Sequence, residues 1–318
     1  MSANVETMAS VIEVPWHGLG RILKTAPKTV EEGLEAGGVN WKVTRVPVIA
    51  EYKNKKIDTG HFSVIRESDE KVLGVVGPEY HPVQNATAFK FFEPFIEQGV
   101  CSIETVGSLQ GGRRVWMLAK VLGTSADIVK GDEVNAYFLV SNSHDGSTRV
   151  RLGFTGIRVV CCNTLTIAHD KSKLLRVSHT KNAEIALDKL QDTVDFTKRQ
   201  FSATVEKMRE LARYGVSAEH LRKYVERVFL PEIEKRTVAD VDAQAAIAKI
   251  HSKIVPLFEK GRGNDLPGVK GTRWAAYNAV SEYLTWEKGR SANTRLDSLW
   301  FGESGKINQR AFTIALAA

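Results

Sequence analysis

The hydrophobic period of this chain changes once, near Asn182, and that change fixes the fold class. Between Trp41 and Leu165 the apolar residues fall into short runs with strand-like alternation: Trp41 to Val46, Phe62 to Arg66, Val72 to Val76, Arg114 to Val121 and Asn135 to Val140. From Asn182 onward they step by three and four. Leu187, Leu190, Val194, Thr197, Phe201, Val205, Met208 and Ala212 form one seam that runs up to Gly215. A helix of that length is about 50 Å long at ~1.5 Å per residue, and its single seam must lie on a sheet, another helix or another subunit. The expected class is α+β: an antiparallel β meander packed by a long helix, with a helical C-terminal region.

The boundaries follow from the punctuation. Residues 1–40 read as an N-terminal arm in which Thr29 caps a short helix ending at Gly37-Gly38, and Pro15 to Gly20 carries too many breakers for regular structure. Residues 41–215 form the β-rich core with its long helix, and 216–318 form a helical region. Within the core, Ala88, Phe91, Phe92 and Phe95 predict a helix from Asn85 to Gln98, kinked or ended by Pro94. Beyond Gly215, a helix from Ser217 stops before Pro231, Thr237 caps another that reaches Phe258, and two more cover Thr272 to Glu287 and Lys306 to Ala317. Gly261 to Gly271 is their linker or ordered loop.

The stretch from Ser141 to Leu165 carries the chemistry. His144-Asp145-Gly146 is turn chemistry, because glycine accepts positive φ. Gly153-Phe154-Thr155-Gly156 reads as a second turn between strands 148–152 and 157–161. In that register Arg151 faces Arg158, and Arg149, Arg151 and Arg158 share one face, with Val150, Leu152, Ile157 and Val159 on the other. Like charges directly opposite each other are destabilising, so such a face either meets an anion or is a solvated outer face. Arg113 and Arg114 flank Trp116, with Lys120 on the same strand, and Lys171, Lys173, Arg176 and Lys181 follow. Cations beside a π-face are what single-strand binding requires, although Trp116 also suits plain core packing.

Other chemistries fit poorly. Gly263-x-x-x-x-Gly268 is followed by Val269-Lys270, out of register for a phosphate loop, and no strand precedes it. No Gly-x-Gly-x-x-Gly opens a helix after a strand. The eight histidines lack metal-ligand spacing, so no metal centre and no cofactor is expected. Glu51-Tyr-Lys53 and Asp69-Glu-Lys71 resemble half of a metal-dependent nuclease site whose upstream aspartate is missing. Cys161-Cys162, with His144 and His169 nearby in sequence, admits a thiol site, but cysteines ending an apolar strand are usually inert. Three cysteines, an odd count, fit a reducing cytosol. No apolar run spans a bilayer and no signal peptide is evident, so a cytoplasmic protein away from membranes is expected. A net charge of +7 and a pI near 9.2 permit anionic partners without demanding them.

Pro15-Trp-His-Gly-Leu-Gly20, Gly111-Gly-Arg-Arg-Val-Trp116, Ser141-Asn-Ser-His-Asp-Gly146, Ile157-Arg-Val-Val-Cys-Cys-Asn-Thr164 and Trp274-Ala-Ala-Tyr-Asn-Ala-Val280 together resemble the phage/plasmid-like protein family, of unknown function. The resemblance runs in order to Phe301-Gly302 and implies a mobile-element origin, with no catalytic residues to carry over. In architecture, strands, a basic segment and a long helix are similar to the β-β-β-α core of single-strand annealing proteins, the Erf, RecT, Redβ and Rad-fifty-two types, though no diagnostic motif of theirs is present.

The function expected from these features is binding of single-stranded DNA and its ATP-independent annealing in phage or plasmid recombination and repair, by a homo-oligomeric ring or filament. Arg149, Arg151 and Arg158 hold phosphates, helped by Arg113, Arg114, Trp116, Lys171, Lys173 and Arg176, and there are no catalytic residues. The rivals are a nuclease or thiol enzyme, and a protein-binding module that inhibits host defence.

Overall fold

The structure is a computed structural model of the 318-residue chain, and it describes residues 5–11, 20–158, 163–165, 175–180, 183, 193–234, 240–289, 295, 298–300 and 302–317. Several sequence features lie outside these residues: Trp16 and His17, Val159 to Cys162, His169, Lys171, Lys173, Lys181, Leu187 and Leu190, Thr237, and Phe301. The fold is α+β, with an antiparallel β meander and a C-terminal helical region. Its contacts group into two compact units. The first takes in 1–123, 137–154 and 171–196; the second takes in 124–136, 155–170 and 197–318.

The chain opens with β1 (Val5–Ser10) and β2 (Arg21–Ile22). Helix α1 (Val30–Ala36) follows, and Thr29 caps it by accepting from the Glu32 N–H at 3.1 Å. Glu32 in turn accepts from the Lys28 N–H at 2.7 Å, much as in a capping box. Next come β3 (Val43–Tyr52), β4 (Lys55–Arg66) and β5 (Lys71–Val76), which form a three-stranded antiparallel sheet of their own. The predicted helix from Asn85 is in three pieces: α2 (Asn85–Phe89), a 3₁₀ turn (Lys90–Phe92) and α3 (Glu93–Glu97), with Pro94 in the first turn of the last. Proline fits there because a first-turn N–H has no intrahelical partner.

The main sheet is built from β6 (Cys101–Leu109), β7 (Arg114–Asp127), β8 (Glu133–Ser143), β9 (Val150–Arg158), β10 (Asn163–Leu165) and β11 (Leu175–Val177), together with the first two strands. Its order is β10-β9-β8-β7-β6-β1-β2, and β11 also pairs with β9. In the first unit, Phe91, Phe92 and Phe95 pack on Phe138 with centroids about 6.3 to 6.4 Å apart. Val43, Val64, Leu73 and Val76 fill a second core beneath Trp41, Phe62 and Tyr80.

The helices of the second unit are α4 (Thr193–Arg213), α5 (Ala218–Glu234), α6 (Asp240–Lys260), α7 (Arg273–Glu282) with a π turn (Tyr283–Glu287), and α8 (Glu303–Ala317). Phe201, Val205 and Met208 of the predicted seam are buried on α4, whereas Ala212 is half-buried and its neighbour Leu211 is the buried residue there. Helix α7 is buried from Trp274 to Glu282; Trp274 donates to buried Asp132 at 2.7 Å, and Tyr277 meets Phe312 edge-on at 5.1 Å. The glycine-rich 261–271 segment is an ordered connector, with buried Asn264 donating to the carbonyls of Leu257 and Ala275.

Two expectations are corrected. Helix α5 does not stop before Pro231 but runs through it to Glu234. The proline falls in the last turn or so, where a lost N–H bond leaves the helix before it intact. More consequentially, Gly153 to Gly156 is not a turn: β9 is one continuous strand, and neither glycine takes positive φ. Its outer edge is shared by β11, along 150–152, and β10, along 156–158. Pairing along both halves keeps the strand extended through the glycines.

Candidate nucleic-acid interface

The continuous β9 undoes the predicted arginine face. Arg151 and Arg158 stand seven positions apart on one strand, so they are not cross-strand neighbours. Arg158 pairs in register with Asn163, not with Arg151. The residue that stands opposite Arg151 is Arg176 of β11. Val150 and Leu152 are buried beside it in sequence, as is Val177 across from Val150, and Arg151 between them is half-buried.

Strand pairing brings more of the predicted cations to the same end of the sheet. The His144 N–H donates to the Arg113 carbonyl at 2.8 Å, which sets the end of β8 beside the start of β7. Arg114 donates to the Ser147 hydroxyl at 3.3 Å, and Arg149, exposed, leads into β9. Arg113, Arg114, Arg149, Arg151 and Arg176 therefore come from three strands and two loops to one sheet end. Lys171 and Lys173 lie outside the described residues.

Trp116 is a correction. It is fully buried, its ring closely packed over Gly107, so it offers no face to a base. Large area made it core before any other role was open to it.

Beneath the sheet end, Arg66 is committed elsewhere. It makes a bidentate pair with Glu6 at 2.9 Å and reaches Asp69 at 2.6 Å, while Lys71 reaches Glu6 at 3.4 Å. The Asp69 and Glu6 bonds raise the Arg66 pKa, and Arg66 lowers that of Asp69. Burial pushes the Glu6 carboxyl up, but Arg66 outweighs it and holds the acid low. Gly111 and Gly112, both at positive φ, pass so close over this cluster that a Cβ would stand 2.5 Å from Lys71 Nζ and 2.6 Å from an Arg66 nitrogen. Asp69 and Lys71, the nuclease-like pair, are thus tied into ion pairs. Among the described residues no group of three His, Cys, Asp or Glu is placed to hold a metal ion.

Ser141 to His144 of the Ser141–Gly146 motif are buried, while Asp145 is half-buried and Gly146 exposed. Asn85 Oδ1 accepts from Asn142 at 3.2 Å and faces His144 Nε2 at 2.9 Å, while Asn142 also donates to the Val83 carbonyl and Asn85 to that of Val39. The tautomer that fits carries its proton on Nε2. Burial, with His179 near, drops the His144 pKa to about 3, and burial drops that of His179 to about 4. His179 stacks on Tyr80 at 4.7 Å, and Tyr80 donates to the Ser143 carbonyl at 2.8 Å. These are neutral, enclosed side chains that anchor the loop carrying Ser147 and Arg149. Cys101, in β6, is buried with its thiol pushed up to about 12 and is no nucleophile; Cys161 and Cys162 are outside the described residues.

One cationic element escaped the sequence reading. Strands β3 and β4 pair as far as Tyr52 and Lys55, around a two-residue turn in which Lys53 and Asn54 both have positive φ. The outer part is an exposed arm. Eleven residues at ~3.3 Å put its tip about 36 Å along β4 from Arg66. Tyr52 is 62% exposed, with Lys53 5.2 Å above its ring and Lys55 and Lys56 following. The available signal was Lys-Asn between two extended runs.

A meander sheet with an arginine-bearing end and a lysine-tipped arm, joined in sequence to a helical region, defines an α+β protein with a cationic surface. The chain belongs to the family described as a domain of unknown function, DUF932, which matches residues 72–300. No curated protein and no solved structure matches it. No helix among the described residues is long and apolar enough to cross a membrane.

Proposed function

We propose that this protein binds single-stranded DNA and anneals it to a complementary strand without nucleotide hydrolysis, as a homo-oligomer serving phage or plasmid recombination. The observation that carries this reading is the Arg151–Arg176 pair, set among Arg113, Arg114 and Arg149 at one sheet end. A phosphate backbone held there leaves base edges free to pair, which is what annealing needs. The arm adds the aromatic-with-lysine surface that Trp116 does not supply: Tyr52 offers a stacking face, and Lys53, Lys55 and Lys56 offer phosphate contacts. The resemblance to mobile-element proteins, and of the strand-then-helix order to annealing proteins, supplies the biological setting.

The test is annealing of two complementary labelled oligonucleotides, followed by energy transfer without ATP or divalent metal, alongside light scattering. Acceleration by the protein, with a mass several times 35.2 kDa, is the expected result. A variant with Tyr52→Ser, Lys53→Ser, Lys55→Ser and Lys56→Ser should bind DNA more weakly and melt at an unchanged temperature. No acceleration, together with metal-dependent cleavage of the strands, would select the nuclease instead.

A further inference from the structure

The second unit holds a pocket of about 320 Å³ whose charge is of one sign. Lys223, Arg227 and Arg273 line it with His220, and no carboxylate among the described residues does. His220, Lys223 and Arg227 fall three and four residues apart on α5, so they share one stripe of that helix. Arg273 is the first residue of α7, and its guanidinium sits 4.7 Å over the Tyr214 ring.

Local backbone pairing builds the site. Gly215 bridges Thr272, the Val216 N–H donates to the Gly271 carbonyl at 2.8 Å, and the Arg273 N–H donates to that of Tyr214 at 2.9 Å. These bonds clamp the N-termini of α5 and α7 side by side, so two positive helix ends reinforce the cationic side chains. Lys223 also meets Glu219 at 2.6 Å, but both are largely exposed, and such a pair holds the lysine weakly. The lining also includes the apolar Ala276, Ile314 and Ala315. A cationic part beside an apolar part, at the lower end of small-molecule site volumes, fits a phosphate attached to a flat ring.

We propose that this pocket binds a mononucleotide, with its phosphate on Lys223, Arg227 and Arg273 and its base against Ile314 and Ala315. The site is in the helical unit and does not depend on the DNA-binding reading.

Calorimetric titration of the full chain with thymidine 5′-monophosphate, thymidine and inorganic phosphate tests it. The monophosphate should bind saturably and at least about tenfold more tightly than either fragment, since each supplies only half of the contacts. Arg227→Met and Arg273→Met should each weaken the monophosphate about tenfold, the loss of one charge-assisted hydrogen bond. Arg227 is exposed, so its replacement leaves folding unaffected and keeps the test clean if Arg273→Met does not fold. Absence of saturable binding at millimolar monophosphate, equal affinity for phosphate alone, or an Arg227→Met affinity equal to wild type would each overturn the proposal.

Discussion

Arg151 of β9 stands directly opposite Arg176 of β11 in an antiparallel register, between the Val150–Val177 and Leu152–Leu175 pairs. Burial of Val150, Leu152 and Val177 holds the short β11 to the sheet edge. Arg176→Ala is expected to leave stability unchanged or to raise it by up to about 0.5 kcal/mol. Denaturant unfolding checks this, and a loss of more than about 1 kcal/mol would mean that the arginine serves the fold.

Trp116 separates core from interface in the opposite sense. Its ring is fully buried against Gly107, so Trp116→Ala should cost about 3–5 kcal/mol through lost burial and the cavity left behind. Equilibrium unfolding is the measurement. A stable Trp116→Ala protein that had lost only DNA affinity would return the indole to the binding surface.

His144 and His179 make stability depend on pH. Unfolded imidazoles take up protons near pH 6.5, whereas burial holds these two at about 3 and about 4. Between those values the unfolded chain binds more protons, so this stabilisation is complete above about pH 7 and is lost as pH falls towards 4. Each histidine accounts for about 2 kcal/mol by pH 5. Melting temperatures from pH 7.5 to 5 should fall less steeply in His144→Gln than in wild type, whatever the variant's starting stability. Equal slopes would show that His144 takes up its proton in the folded state.

Much of this fold was legible because local chemistry and tertiary need agree. Thr29 caps α1 as its spacing announced, Gly146 takes the positive φ that Asp-Gly promises, and the stepped residues Phe201, Val205 and Met208 are buried on one helix. The arm was hidden because it buries almost nothing: with both faces in water, residues from Pro47 to His61 carry no alternation to read. Strand β9 was misread for the converse reason. Gly153 and Gly156 signal a turn locally, but pairing with β11 and β10 decides their conformation, and those partners lie beyond the local window. The arginines were therefore found as residues while their arrangement was not, since the partner of Arg151 is 25 residues away instead of seven.

Gly74 tests how tightly the two sheets of the first unit are joined. A Cβ there would stand 2.5 Å from Asp145 Cα, backbone that cannot swing aside, whereas one at Gly77 meets nothing within 4 Å. Gly74→Ala should cost about 1–3 kcal/mol and Gly77→Ala almost nothing. Thermal melts of the pair suffice, and equal stabilities would place Asp145 away from β5.

The central claim is that the arginines at the sheet end hold a phosphate backbone. Its most direct test is fluorescence anisotropy of a labelled oligothymidylate across a salt series, with wild type and the Arg151→Ala, Arg176→Ala double variant. For wild type, log affinity should fall linearly with log salt at about 0.7 per phosphate neutralised, and the double variant should bind more weakly with a slope shallower by about 1.4. Wild-type affinity that ignores salt, or a double variant with unchanged affinity and slope, would contradict the claim.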